Sequence, residues 1–190
     1  MFRRAMIAII GDASLESDSP KRKLAEELGR ALISEGYRIV CGGLGGVMEA
    51  AGRGARSAPE YKDGDIVGIL PGFDPSDADG SIDIPIATGL QYARNVIVAN
   101  ADAIVAIGGG AGTLSEMALA WSMKRLLIAY KVPGWSGELA DKKLDRRLRF
   151  RDVPDDRVYG VESAREVIEF LGKLDLYKSR TTGIVRRSGE

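Results

Sequence analysis

The sequence predicts an α/β protein: a single domain built on a Rossmann-like, doubly wound parallel sheet. Short apolar runs alternate with longer stretches of helical periodicity along most of the chain. Those runs are hydrophobic throughout, as strands covered on both faces are. Several end in glycine-rich turns that lead toward a helix, the pattern of right-handed strand-to-helix crossovers. At 190 residues the chain is long enough for one well-buried domain.

The elements follow in order. "AMIAII" at 5–10 reads as the first strand; its apolar part is too short for a signal peptide, and no small-residue cleavage site follows. "PKRKLAEELGRALISEG" at 20–36 places Leu24, Leu28, Ala31 and Leu32 at helical spacing, with Ser19 as cap and Gly36 as stop. "YRIVCGG" is a second strand, "GVMEAAGRGARSA" a short helix, "DIVGILPG" a third strand and "GSIDIPIATG" a short extended segment. "LQYARNVIVANA" at 90–101 reads as helical despite its β-branched residues, and "AIVAIGGG" is the fourth main strand. A helix is expected over 113–123, then the strand "RLLIAY", and last the strand "RVYGV" with the helix "SAREVIEFLGKL". The domain is expected over 1–174, with the basic 175–190 a loosely ordered tail. The charge-rich stretch 137–156 reads as a solvated loop or helical excursion.

Composition excludes several classes of function. Lys+Arg and Asp+Glu both total 27, which gives no overall pull toward nucleic acid or an anionic membrane. No apolar run approaches the roughly 18 residues of a bilayer span. The single Cys41 rules out an internal disulfide and fits a reducing compartment, so a cytoplasmic location is expected. The chain has no His, which removes the commonest general base and metal ligand, and no metal site is expected.

In a doubly wound sheet, ligands sit beyond the carboxyl ends of the strands. Strands end there in "GDAS" (11–14), "CGGLGGVM" (41–48) and "GGGAGT" (108–113). A helix start offers unpaired amides and partial positive charge, and glycine lets an anion approach them. Gly109, Gly110, Gly112 and Thr113 are therefore predicted to cradle a phosphate, with Gly42, Gly43 and Gly46 forming a second such turn. Neither turn is a P-loop or a GxGxxG fingerprint. Thr113-Leu-Ser-Glu116 also matches a capping box, so Glu116 is either a ligand-facing carboxylate or a helix cap. Asp12 suits a ligand hydroxyl or a turn, Glu49 reads as structural, and Asp102 falls at the opposite end of its strand. Arg94, in a first helical turn after Gly89 and beside Asn95, can reach a phosphate or carboxylate with its planar fork. Tyr92 and Trp121 read as packing residues, and loops 72–89 and 131–157 as the far wall of the pocket.

With these residues in view, the chain resembles the LONELY GUY superfamily, also known under a lysine decarboxylase label, and within it the branch of molybdenum-cofactor carrier proteins. The resemblance runs over roughly residues 5 to 172. "GGGAGTLSE" is similar to the family's PGGxGTxxE at Gly109, Gly110, Gly112, Thr113 and Glu116, with Gly108 in place of Pro. "GGLGGVM" is similar to GGGxxGLM at Gly42, Gly43, Gly46 and Met48. The resemblance implies a small phosphorylated ligand and a homodimer or larger homo-oligomer, with neither nucleic acid nor membrane as partner. Enzymes of the superfamily use an Arg and the motif Glu to cleave the N-glycosidic bond of nucleoside 5′-monophosphates. Here those catalytic residues would be Arg94 and Glu116, although the family's Arg-Lys pair is represented by "ARN". Nothing singles out a lysine for decarboxylase chemistry with pyridoxal phosphate. The expected function is a carrier or sensor of a phosphorylated pterin or nucleotide, molybdenum cofactor included. The alternative is a phosphoribohydrolase of nucleoside monophosphates that requires no cofactor.

Overall fold

Successive residues of the first strand, β1 (Met6–Gly11), serve two different cores. Ile7 and Ile9 pack with one set of helices, while Ala8 and Ile10 pack with another. This is the period-2 alternation of a strand covered on both faces, and it explains why the run is apolar throughout. The structure, a computed structural model, describes residues 3–177.

The strands that follow are β2 (Arg38–Cys41), β3 (Ile66–Leu70), β4 (Ile84–Ala87), β5 (Ala103–Ile107), β6 (Leu126–Tyr130) and β7 (Tyr159–Val161). Together with β1 they form one 7-stranded parallel sheet in the order β4-β3-β2-β1-β5-β6-β7. The helices are α1 (Pro20–Ser34), α2 (Val47–Arg56), α3 (Asn95–Ala99), α4 (Ala111–Ser122), α5 (Trp135–Leu139) and α6 (Ala164–Leu171). Helices α1, α2 and α6 cover one face of the sheet; α3 and α4 cover the other. The chain runs outward from β1 to β4, then returns to place β5 beside β1, with Gly11 in register with Ile107. Strand order reverses at that pair, so a crevice opens beyond their carboxyl ends. The predicted doubly wound sheet is present, and the extended segment expected near 80–89 supplies its edge strand β4.

Local details depart from the expectations where packing overrides propensity. Ser19 stands at the N-cap of α1 but its side chain makes no cap hydrogen bond; Pro20 opens the helix, and Gly36 (φ +79) follows its end. Within α1, Gly29 lets α2 approach, since a Cβ there would stand 1.9 Å from Ala51 O. The helix expected over 90–101 is instead a 3-10 turn, Gln91–Arg94, followed by the short α3. Asp102 lies at the amino end of the sheet, where it accepts from Met6 N at 2.8 Å.

The stretch 137–156 is more than a solvated loop. Its Arg149 is buried, meets Asp156 through Nε and Nη2 at 2.6 and 2.7 Å, and lies 3.6 Å from the centre of the Trp121 ring. Arg149 Nη1 also donates to Trp121 O (3.1 Å), in the last turn of α4, and to Arg125 O (3.2 Å), just before β6. Packing runs past the expected boundary at 174: Leu174–Tyr177 forms a 3-10 turn with Tyr177 buried, its hydroxyl bonded to Asp156 Oδ1 at 3.0 Å. The basic residues expected of the tail lie outside the described residues. Among the described residues, no helix is long and apolar enough to cross a membrane.

Candidate functional site

The chain leaves β5 through two residues that only glycine accommodates well. Gly108 has φ +64 and Gly109 φ +92, and the turn they make is stitched to the start of α5. Gly108 N donates to Ser136 Oγ at 2.7 Å, while Gly108 O and Gly109 O accept from Ser136 N and Trp135 N at 3.0 Å. A Cβ at Gly109 would stand 2.2 Å from Thr113 Oγ1. These two glycines therefore shape the turn. Gly110 and Gly112 differ: both are exposed, and nothing lies within 4 Å of where a Cβ would sit.

Helix α4 begins at Ala111, with Gly110 at the N-cap and no side-chain cap. Thr113 thus lies inside the first turn rather than at the cap, and the capping box does not form. Its hydroxyl donates instead to Gly11 O at 3.2 Å, tying α4 to β1. Glu116 reaches Arg94, whose Nη1 stands 3.2 Å from Oε1.

Around these groups lies a cavity of about 440 Å³. Ile10, Leu44, Met48 and Pro71 give it apolar walls; Gly110, Gly112, Thr113, Arg94 and Glu116 line it with polar groups and open backbone. Glu116 is 6% exposed, and burial pushes its carboxyl up to about 7 against the opposing pull of Arg94. Arg94 Nε is buried and has no hydrogen-bond partner among the described residues. Gly42 makes room for the guanidinium, because a Cβ there would stand 2.7 Å from Arg94 Nη2. Asn95 Nδ2 donates to Ser115 Oγ, which donates to Gly112 O, both at 2.7 Å. Cys41 lies behind the site, fully buried, and burial pushes its thiol up to about 11.

The two glycine turns are not equivalent. Gly42, Gly43 and Gly46 are buried; a Cβ at Gly46 (φ +70) would stand 2.2 Å from Asp12 O, which already accepts from Val47 N at 2.9 Å. That turn contributes Leu44 and Met48 to the cavity wall rather than open amides. Asp12 does not line the cavity; its carboxylate pairs with Lys21 Nζ at 2.6 Å, close over Gly108. Lys21 carried no signal in sequence, where it reads as an ordinary surface residue of a helix. Glu49 pairs with Arg22 and Arg53, in keeping with a structural role.

Trp121 is buried as expected of a packing residue, but Tyr92 is 85% exposed and lines the cavity. The far wall also departs from expectation: it comes from Pro71, Gln91 and Tyr92, and not from 72–89 or 131–157. The 3-10 turn folds back on the end of β3, Gln91 N donating to Pro71 O at 3.1 Å, and so occupies that position. Among the described residues, no group of three or more His, Cys, Asp or Glu could hold a metal ion.

Solved structures and a sequence relative resemble this chain over most of its length. The molybdenum cofactor binding protein of Rippkaea orientalis is 31% identical, with a TM-score of 0.73 over 92% of this chain and 99% of that one. The molybdenum cofactor carrier protein of Chlamydomonas reinhardtii is 27% identical, with a TM-score of 0.71 over 90% and 98%. DNA processing protein A of Helicobacter pylori shares the fold at 18% identity, with a TM-score of 0.58 over 89% and 80%. An uncharacterized protein of Archaeoglobus fulgidus is 39% identical over 128 residues, 67% of this chain and 80% of that protein. With a family profile matching residues 4–168, this chain belongs to the SLOG cluster4 family.

Proposed function

We propose that this protein binds a phosphorylated, ring-bearing small molecule and carries it unchanged, with molybdenum cofactor as that ligand. The observation behind this reading is the uncapped start of α4, where Gly110 and Gly112 open onto the cavity that holds Arg94 and Glu116. A phosphate at that end would meet first-turn amides and the positive end of the helix dipole. Thr113 steadies the turn from beneath through its bond to Gly11 O. The apolar walls Ile10, Leu44 and Met48 suit a planar ring. The residues present thus fit the phosphate and the ring of such a cofactor. Among the described residues no His, Cys, Asp or Glu cluster could hold a metal ion, and a bound cofactor would bring the ligands of its own metal with it. Likeness to the cofactor-binding and carrier proteins above supports the same reading.

The test is mass spectrometry of small molecules released from the purified protein, paired with thermal unfolding in the presence of phosphorylated pterins and nucleotides. A phosphorylated pterin is expected among the released compounds, and its addition should raise the unfolding midpoint, because a ligand of the folded state alone stabilises it. No release and no stabilisation by any phosphate-bearing compound would overturn the reading.

The buried pair of Arg94 and Glu116 favours a second reading, hydrolysis of nucleoside 5′-monophosphates. Water would replace the base at the sugar carbon, releasing base and ribose 5-phosphate, and a carboxylate beside the sugar would stabilise its developing positive charge. Incubation with AMP separates the two: free base that disappears in Glu116→Gln supports the hydrolase, and saturable binding without base supports the carrier. Self-association is part of the proposal, because Val96 and Ile97 of α3 expose an apolar face next to Arg94 and Asn95. Light scattering should report a dimer or larger assembly that Ile97→Asp weakens.

A further inference from the structure

The outer wall of the cavity is one short turn in which Gln91 is held in a conformation that a residue other than glycine does not favour. Thr88 N and Oγ1 both donate to Leu70 O, at 3.2 and 2.7 Å. Gly89 N donates to Gly72 O at 2.8 Å and Gln91 N to Pro71 O at 3.1 Å. These bonds fasten the turn to the end of β3. Gln91 has φ +49, in the left-handed region that residues other than glycine rarely adopt. Strain of this kind persists only where the surroundings enforce it, and it gathers where side chains must be aimed.

What the turn aims is Gln91 and Tyr92, both of which line the cavity. Tyr92 is 85% exposed, and neither its hydroxyl nor the Gln91 amide hydrogen-bonds within the described residues. Leu44 and Met48 line the same cavity as apolar surface. An exposed aromatic face at a cavity mouth and an adjacent unpaired amide are the parts needed to recognise a flat heterocycle. Tyr stacks on any π-face, and more strongly on a larger one. A Gln amide presents donor and acceptor side by side, matching the adjacent donor and acceptor atoms on the edge of a purine or pterin.

We propose that Gln91 and Tyr92 read the ring of the ligand, Tyr92 stacking on a fused two-ring heteroaromatic and Gln91 pairing with its polar edge. This rests on the binding reading above and adds to it the class of ring and the residues that select it. The phosphate is held at α4 and the ring at the β4–α3 turn, so the two contributions are separable by experiment.

Binding is measured by calorimetry with AMP, a pterin monophosphate, UMP and ribose 5-phosphate, on wild type, Tyr92→Ala, Tyr92→Phe and Gln91→Gly. Both side chains are exposed, and glycine adopts φ +49 readily, so the variants keep the fold. Tyr92→Ala should weaken AMP or the pterin phosphate by about tenfold or more and Tyr92→Phe by less than about threefold. Gln91→Gly should weaken the same probes by roughly three- to tenfold. Ribose 5-phosphate should be unaffected by all three, and UMP should bind wild type more weakly than the two-ring probes. The proposal is overturned if Tyr92→Ala leaves the two-ring probes within about twofold of wild type or weakens ribose 5-phosphate equally. It is also overturned if wild type binds ribose 5-phosphate as tightly as AMP, an outcome that leaves the phosphate site standing. Wild type binding none of the four overturns the binding reading and this one together.

Discussion

Arg94 and Glu116 meet across the cavity through one nitrogen of the guanidinium, Nη1 to Oε1 at 3.2 Å, with side chains only 13% and 8% exposed. Arg94 closes the turn before α3 and Glu116 lies in α4, so the pair bridges the two helices that frame the site. A guanidinium carries five donors, and among the described residues only Nη1 is engaged, so Arg94 keeps capacity for a second, anionic partner.

Glu116 should make anion binding depend on pH. Its carboxyl titrates at about 7, so below that pH it is neutral and leaves the charge of Arg94 uncompensated; above it, the carboxylate repels a phosphate. Affinity for a phosphate monoester, measured by calorimetry from about pH 5.5 to 8.5, is expected to decline above neutrality in wild type and not in Glu116→Gln. The ligand's own second ionisation near pH 6 acts in the opposite direction in both proteins, so the difference between them isolates the carboxyl. Identical profiles would separate Glu116 from the anion.

The same shift affects stability. The folded value of about 7 lies above the ordinary 4.5. The stabilisation is therefore fully present below the unfolded pKa and is lost as pH rises through the folded one. The loss is roughly 3 kcal/mol. Urea unfolding at pH 5 and pH 8 should show it in wild type, and Glu116→Gln should abolish it.

Substitutions at neighbouring glycines should separate packing from binding. Gly112→Ala places a methyl in open space in a helix and should stabilise by up to about 1 kcal/mol. Gly112→Leu should keep the fold yet weaken phosphate binding by about tenfold, since residue 112 lines the cavity. Gly109→Ala forces a Cβ against Thr113 at φ +92 and should destabilise by about 2 kcal/mol or more. Chemical denaturation and calorimetry on the same three variants make the comparison.

Position 108 should reject the proline of the resembling motif. A proline ring fixes φ near −65°, whereas Gly108 has φ +64 and donates its N–H to Ser136 Oγ. Gly108→Pro is expected to lower stability by about 3 kcal/mol or more, read from the denaturation midpoint. A neutral result would mean that this turn can adopt another path.

Arg149→Met should destabilise by about 3–5 kcal/mol, because it leaves the Asp156 carboxylate buried without its cation. Ligand affinity of the folded variant should be unchanged, since Arg149 serves the far end of α4.

Much of this was legible in the sequence. Apolar runs and helical spacing identified the strands and the main helices, because burial on both faces of a parallel sheet leaves a strong pattern. Arg94 and Glu116 stood out as site candidates, and the structure brings them together. The capping box misled because helix boundaries are faint in sequence: a start at Ala111 moves Thr113 from the cap into the first turn and turns it toward Gly11. Arg149 was hidden inside a run of charges, where nothing local distinguishes a buried cation from solvated ones. The same is true of Lys21, whose partner Asp12 lies across a loop. The tyrosine at 92 read as a packing residue of an expected helix, yet a 3-10 turn carries it and leaves it exposed.

Helix α4 is fastened at both ends, by Thr113 to Gly11 and by Arg149 to the carbonyl of Trp121. Both bonds tie α4 to its neighbours, whereas Gln91 and Tyr92 stand outside both cores. On the proposed reading, exchanges at those two positions would retune ligand choice at little cost to folding, so that the cargo could diversify while the anion site stayed constant.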